Sequence, residues 1–147
     1  MTDTEICRIA IDWIRYTVAE RNSQEQFDTA WASTKQIDLV LDEQFEYLWR
    51  LIEMIFSLDR SFAVLRLLSA GPIEDLLQNR GETFISLVEE KAKGDPIFAI
   101  ALSGVWRGKM SDEVWGRLQS VADPVGFNEM WERNEPCNLP WALRPEQ

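Results

Sequence analysis

Carboxylates are the side chains of this 147-residue sequence best suited to chemistry, because the chain contains no histidine. That absence removes Ser-His-Asp and Cys-His nucleophilic machinery and His-ligated zinc. Glu74 and Asp75 follow Gly71-Pro72, and a carboxylate pair suggests either acid–base catalysis or a magnesium site. Adjacent helical residues point about 100° apart, however, and carboxylates in a first turn complement the helix dipole. We therefore interpret this pair as helix-capping, and predict no catalytic residue, cofactor or metal.

The acidic side chains are unevenly distributed along the chain. The formal net charge is -10, and residues 1–59 carry 12 acidic and 5 basic side chains. Such a surface either keeps the protein in solution or attracts a basic protein partner. It is a poor match for nucleic acid, because phosphate affinity depends on clustered Lys and Arg. The candidate partner-binding residues in this half are Asp38, Asp42, Glu46 and Glu53, the last three on the polar track of a predicted central helix.

A second candidate surface lies in the C-terminal tail, where aromatic residues are scattered among prolines. Trp131 and Trp141 are candidate partner-binding residues, because Trp is enriched at the energetic centres of protein interfaces. Alternatively, the tail (residues 126–147) packs across helix faces of its own domain (residues 1–125).

The central helix is predicted over residues 42–58, DEQFEYLWRLIEMIFSL. Its main apolar stripe follows steps of three and four: Phe45, Leu48, Trp49, Ile52, Ile55 and Phe56. A second stripe consists of Tyr47, Leu51, Met54 and Leu58. So little polar surface remains that neighbouring helices must cover this one on most sides.

Caps and breakers predict the remaining helices. Thr2 or Thr4 starts the first, and Ser23 with Gln26 starts a second containing Phe27, Ala30 and Trp31. A polar stretch, residues 33–38, is expected to lead into the central helix. Gly71-Pro72 and Gly94-Asp95-Pro96 are each expected to end one helix and begin the next, and Ser111 or Asp112 opens the last clear helix.

The predicted fold is all-α, a compact single-domain bundle of about seven short helices without strand-like alternation. The alternative is solenoid-like stacking of helix hairpins. A weak internal repeat suggests such stacking: an acidic residue followed two positions later by an aromatic one recurs at Glu43, Glu82 and Glu113. The intervals between these positions are not constant.

Three segments resemble the core of an uncharacterised bacterial family, a domain of unknown function. They are SAGPIEDLL (residues 69–77), GETFISLVEEKA (81–92) and DPIFAIALSGVW (95–106). The resemblance implies a helical bacterial protein and assigns no activity. The acidic first half and the C-terminal tail lie outside it.

These observations favour a cytoplasmic, non-enzymatic protein. The N-terminus carries acids where a signal peptide needs basic residues, and no apolar run approaches the ~20 residues that span a bilayer, so no membrane partner is expected. The leading hypothesis is an immunity or antitoxin protein that neutralises a basic toxin by occlusion. The alternatives are an enzyme or ligand-binding domain with carboxylates in an interhelical pocket, and a helical scaffold subunit.

Overall fold

The computed structural model describes residues 1–133, whose regular elements are all helices. In chain order they are α1 (Asp3–Val18), α2 (Gln24–Leu41), α3 (Phe45–Leu58), α4 (Phe62–Leu68), a π-helical segment (Ser69–Ile73, the π segment), α5 (Glu74–Gly94), α6 (Pro96–Leu102), α7 (Asp112–Val121) and α8 (Pro124–Arg133). The predicted all-α class is confirmed. Within this part of the chain, no helix combines the length and apolar composition needed to cross a membrane.

Helix α3 is the centre of the fold, as its two apolar stripes predicted. It packs against α1, α2, α4, the π segment and α5. Every residue of its main stripe is buried, and so is Leu51 of the second. Phe98 of α6 completes the enclosure, meeting Trp49 and Phe56 edge to face at ring-centroid distances of 6.3 and 5.2 Å. The helices that cover α3 thus come from both before and after it in sequence.

The predicted helix starts are confirmed where a side-chain cap is present. Thr2 and Glu5 form a reciprocal capping box at α1, and Ser23 accepts a hydrogen bond from the Gln26 amide at 3.1 Å. Ser111 caps α7 in the same way. At α6, the Asp95 carboxylate accepts from the Ile97 amide at 3.0 Å and Pro96 occupies the first turn.

Residues 33–38 do not form the expected polar connection. They continue α2 as far as Leu41, because Ala32, Gln36 and Leu39 recur at intervals of four and three and are buried together. The chain turns instead at Glu43, whose φ of 56° interrupts helical geometry. The central helix consequently begins at Phe45, three residues later than predicted.

Gly71-Pro72 also differs from the prediction, because it does not separate two helices. Both lie within the π segment, which joins α4 to α5 without leaving helical geometry. A proline inside an α-helix lacks the amide hydrogen and clashes with the carbonyl one turn earlier, and a wider π turn relieves that clash. The buried Ser69 hydroxyl donates to the carbonyl oxygens of Leu65 and Arg66 at 2.9 and 3.1 Å.

Helix α5 bends at Arg80. Arg80 has non-helical angles (φ -140°, ψ 39°), and the next residue, Gly81, lies against α7. A Cβ added at Gly81 would stand 2.9 Å from Cγ1 of Val114, so this crossing has no space for a larger residue. The internal repeat does not mark equivalent positions: Glu43 lies in a turn, Glu82 inside α5 and Glu113 in the first turn of α7.

Candidate docking face on helix α2

The outer surface of α2 carries large apolar residues that stay partly or largely exposed in the described part of the chain. Phe27 is 81% exposed, Leu41 72%, Ile37 50% and Trp31 38%. At 100° per residue these four side chains fall within an arc of about 120°, and they extend over about 21 Å of helix. Large apolar patches on a protein surface commonly mark interaction sites.

The opposite side of α2 explains why these residues face outward. Thr29, Ala32, Gln36 and Leu39 are buried, on the side of α2 that meets α1 and α3. The centre of that buried arc lies about 180° from the centre of the exposed apolar arc. Packing of this mostly small and polar stripe therefore sets the rotation of α2, and Phe27, Trp31, Ile37 and Leu41 are left on the surface.

Trp31 is held in place by α1. Its indole Nε1 donates to the Asp12 carboxylate at 2.8 Å, and the Arg8 guanidinium lies 5.3 Å from the centre of its ring. Arg8 and Asp12 also line an open groove of about 560 Å³ that includes Asp3 and Met54. The apolar surface of α2 thus continues onto α1 through a tryptophan whose orientation is fixed before any partner binds.

Two of the predicted acidic residues border this apolar surface. Asp38 and Asp42 lie in the last turn of α2, where the Asp42 amide donates to the Asp38 carbonyl at 2.8 Å. Residues 24–43 contain five acidic side chains and one basic one. The last turn of α2 contains no basic residue, so these carboxylates face the negative end of the helix dipole. Helix stability does not account for them. We call Phe27, Trp31, Ile37 and Leu41, with Asp38 and Asp42, the docking face.

The other two acidic candidates lie elsewhere. The prediction that Asp42, Glu46 and Glu53 share one polar track on the central helix is wrong, because Asp42 belongs to the end of α2. Glu46 is exposed in the first turn of α3 and lines a concavity of about 350 Å³ with Arg80 of α5. Glu53 pairs with Lys91 of α5 at 3.8 Å.

Trp131 belongs to a separate aromatic cluster. It lies on α8 with its ring 5.6 Å from Phe62 of α4, and Phe127 lies 5.2 Å from the same Phe62. Met130 of α8 is buried, and α8 packs on α6. The acidic and aromatic candidates therefore do not form one surface. Trp141 lies outside the described residues, and packing of the tail beyond residue 133 stays a prediction.

Glu74 and Asp75 do not cap a helix, since the π segment continues directly into α5. A carboxylate oxygen of Glu74 accepts from the Trp106 amide at 2.8 Å, and Asp75 accepts from the Gln36 side chain at 3.3 Å. Burial raises the pKa of the Asp75 carboxyl, partly opposed by the Gln36 hydrogen bond and the Lys109 charge. The two carboxylates accept hydrogen bonds from different groups, so they do not converge on one reacting group. Among residues 1–133, no group of three or more His, Cys, Asp or Glu side chains could hold a metal ion.

Sequence reasoning missed Phe27, Ile37 and Leu41 as surface residues. The sequence placed Phe27 and Trp31 in the second helix without assigning them to its surface, because large apolar residues at helical spacing usually face a core. The same helix carries a second stripe that includes Ala32 and Leu39. Two stripes on different sides of one helix were the signal that one of them must face outward.

Comparison with known proteins identifies the family. No curated protein and no solved structure matches the chain. A family model described as "Family of unknown function (DUF6869)" matches residues 19–125, which include α2, α3, the π segment and the three segments whose resemblance was noted from sequence. Because this match covers more than half of the chain, the protein belongs to the DUF6869 family.

Proposed function

We propose that this protein binds a basic protein partner through the docking face on α2. The observation that carries the proposal is an exposed apolar helix face with carboxylates at its border. These carboxylates lie at the C-terminal end of α2, where the negative end of the helix dipole disfavours them. The apolar side chains would exclude water at the centre of the contact, and Asp38 and Asp42 would attract Lys and Arg at its edge. The linear shape of the face suits an amphipathic helix laid along α2.

In its most specific form, the proposal is that of a cytoplasmic immunity or antitoxin protein, with a basic toxin as the partner. Occlusion would be the mechanism, because burying the toxin's basic surface under α2 needs no chemistry from this chain. The separate engagement of Glu74 and Asp75 supports a non-enzymatic role over a paired-carboxylate enzyme.

A capture experiment tests the docking face. The full chain and a Phe27→Lys/Leu41→Lys variant are used as baits in a lysate of the source organism. Trp106→Lys/Val125→Lys is the matched control, because those residues are 78% and 66% exposed, lie outside α2, and gain the same charge. We expect a basic protein that the full chain and the control retain and the α2 variant loses. The interaction is then repeated with purified components. Equal retention by all three baits, or an acidic partner, would contradict the proposal.

The toxin hypothesis has its own test. The captured partner is expressed alone, with this protein, and with the α2 variant. We expect growth arrest with the partner alone, relief with the unaltered protein and no relief with the α2 variant. A partner that is harmless when expressed alone would exclude the immunity role and leave the docking face as a general protein-binding site.

A further inference from the structure

A groove of about 360 Å³ opens between α1, α2 and the π segment, on a flank of α2 about 110° around the helix from the centre of the docking face. It is lined by Trp13 and Tyr16 of α1, by Gln26, Ser33 and Gln36 of α2, and by the π segment at Gly71. Ligand pockets commonly range from about 300 to 1,000 Å³ and combine apolar walls with a few placed polar groups. π-Helical turns are frequently found at functional sites.

The lining of this groove is neutral, although 27% of the chain's residues are charged. In the described part of the chain, its polar side chains are amides and hydroxyls, and its other walls are aromatic or aliphatic. An anion would need Lys, Arg or a helix N-terminus, and a cation would need a carboxylate. The groove offers none of these on its surface, so its composition selects against charged ligands.

Gln36 is the polar group that gives the groove a recognition element. It is only 6% exposed, and its side-chain amide makes one hydrogen bond within residues 1–133, from Nε2 to Asp75. A primary amide has two N–H donors and an oxygen with two lone pairs, so the oxygen and the second N–H stay available. The contact with Asp75 also fixes which end of the amide is nitrogen. The free oxygen and N–H of this amide can therefore pair with a ligand that carries a hydrogen-bond donor next to an acceptor.

We propose that this groove binds an uncharged planar ring compound carrying an adjacent hydrogen-bond donor and acceptor, the chemistry of a carboxamide, lactam or nucleobase. Tyr16 and the small accessible part of the otherwise buried Trp13 supply apolar contact for the ring, and Gln36 pairs with its polar edge. The site is distinct from the docking face and does not depend on a protein partner.

Matched pairs of neutral and anionic probes test the proposal on the unaltered protein. Nicotinamide is compared with nicotinate, and uracil with orotate, by titration followed in ¹H–¹⁵N spectra at the Gln36 side-chain amide and the Trp13 indole. We expect saturable shifts at both groups with at least one neutral probe, in the millimolar range normal for small fragments, and at least tenfold weaker binding of its anionic counterpart. No shift with either neutral probe, or equal binding of the anions, would overturn the proposal.

A groove-filling variant localises the binding. Gly71 lines the groove, its φ lies outside the left-handed range, and apart from its chain neighbours no atom lies within 4 Å of an added Cβ, so Gly71→Leu adds bulk at the groove wall. A side chain before Pro72 disfavours helical geometry, so circular dichroism first checks that the variant is folded. Gly116→Leu is the control, because Gly116 is equally unobstructed on α7. The Gly71 variant should bind the neutral probe at least tenfold more weakly and the control should bind it normally. Unchanged binding in a folded Gly71→Leu protein would place the probe elsewhere and refute the site.

Discussion

Truncation of Ile52 to Ala tests whether α3 is the enclosed centre of the fold. Ile52 is fully buried on the main stripe of α3. The change removes three carbon atoms, and at about 0.8 kcal/mol for each buried methylene the lost transfer energy is about 2.4 kcal/mol. The unfilled cavity adds to this because the surrounding helices relax only in part. The expected loss is therefore about 2 to 5 kcal/mol.

Urea denaturation followed by circular dichroism measures this loss. With an m value of about 2 kcal/mol per molar, the midpoint should fall by about 1 to 2.5 M. Ser57→Ala is the control on the same helix, because Ser57 is exposed and its hydroxyl bonds only within α3, to Met54. The control should change stability by no more than about 0.5 kcal/mol. If Ile52→Ala cost less than about 1 kcal/mol, α3 would be peripheral and the reasoning wrong.

Three further changes have expected outcomes. Asp75→Asn keeps an oxygen to accept from Gln36 but removes a carboxylate that burial disfavours. Since the pKa of Asp75 is raised, melting temperature should rise at pH 7, and the gain should shrink as the pH falls through that raised pKa and vanish below the ordinary Asp pKa. A lower melting temperature at pH 7 would contradict this. Ser111→Ala removes the cap of α7 and should cost about 1 kcal/mol in urea denaturation, with no loss excluding a capping contribution. Gly116→Ala replaces a glycine within α7 at a position where an added Cβ has no close neighbour. The change should stabilise the protein by about 0.5 to 1 kcal/mol, because glycine loses more backbone freedom on folding than alanine does. A loss of stability would show a steric conflict at this position.

Features that depend on a few neighbouring residues were predictable from sequence. The caps at Thr2, Ser23 and Ser111 rely on a side chain meeting an amide three residues ahead, so the local pattern is sufficient. The burial of α3 was also predictable, because a helix apolar on nearly all sides has no solvated orientation available to it.

Features decided by packing were not predictable. The rotation of α2 depends on Ala32 and Gln36 meeting the rest of the bundle, and neither is hydrophobic enough to outweigh Phe27 in a sequence pattern. Gly71-Pro72 has the composition of a break, and only the helices surrounding the π segment keep the chain helical there. The Gln36–Asp75 hydrogen bond joins residues 39 positions apart, for which the sequence carried no signal.

Association kinetics with the purified basic partner test the central claim most directly. Asp38→Lys/Asp42→Lys reverses the acidic border of the docking face, and Glu129→Lys/Glu132→Lys makes the same change in charge on exposed positions of α8. Exposed charges act mainly on encounter, so stopped-flow measurement at low salt should show at least a tenfold slower association for the α2 variant and little change in dissociation. The difference should shrink at high salt, as the Debye length falls below ~8 Å. An association rate that stayed unchanged in the α2 variant, or fell equally in the α8 variant, would contradict binding of a basic partner at this face.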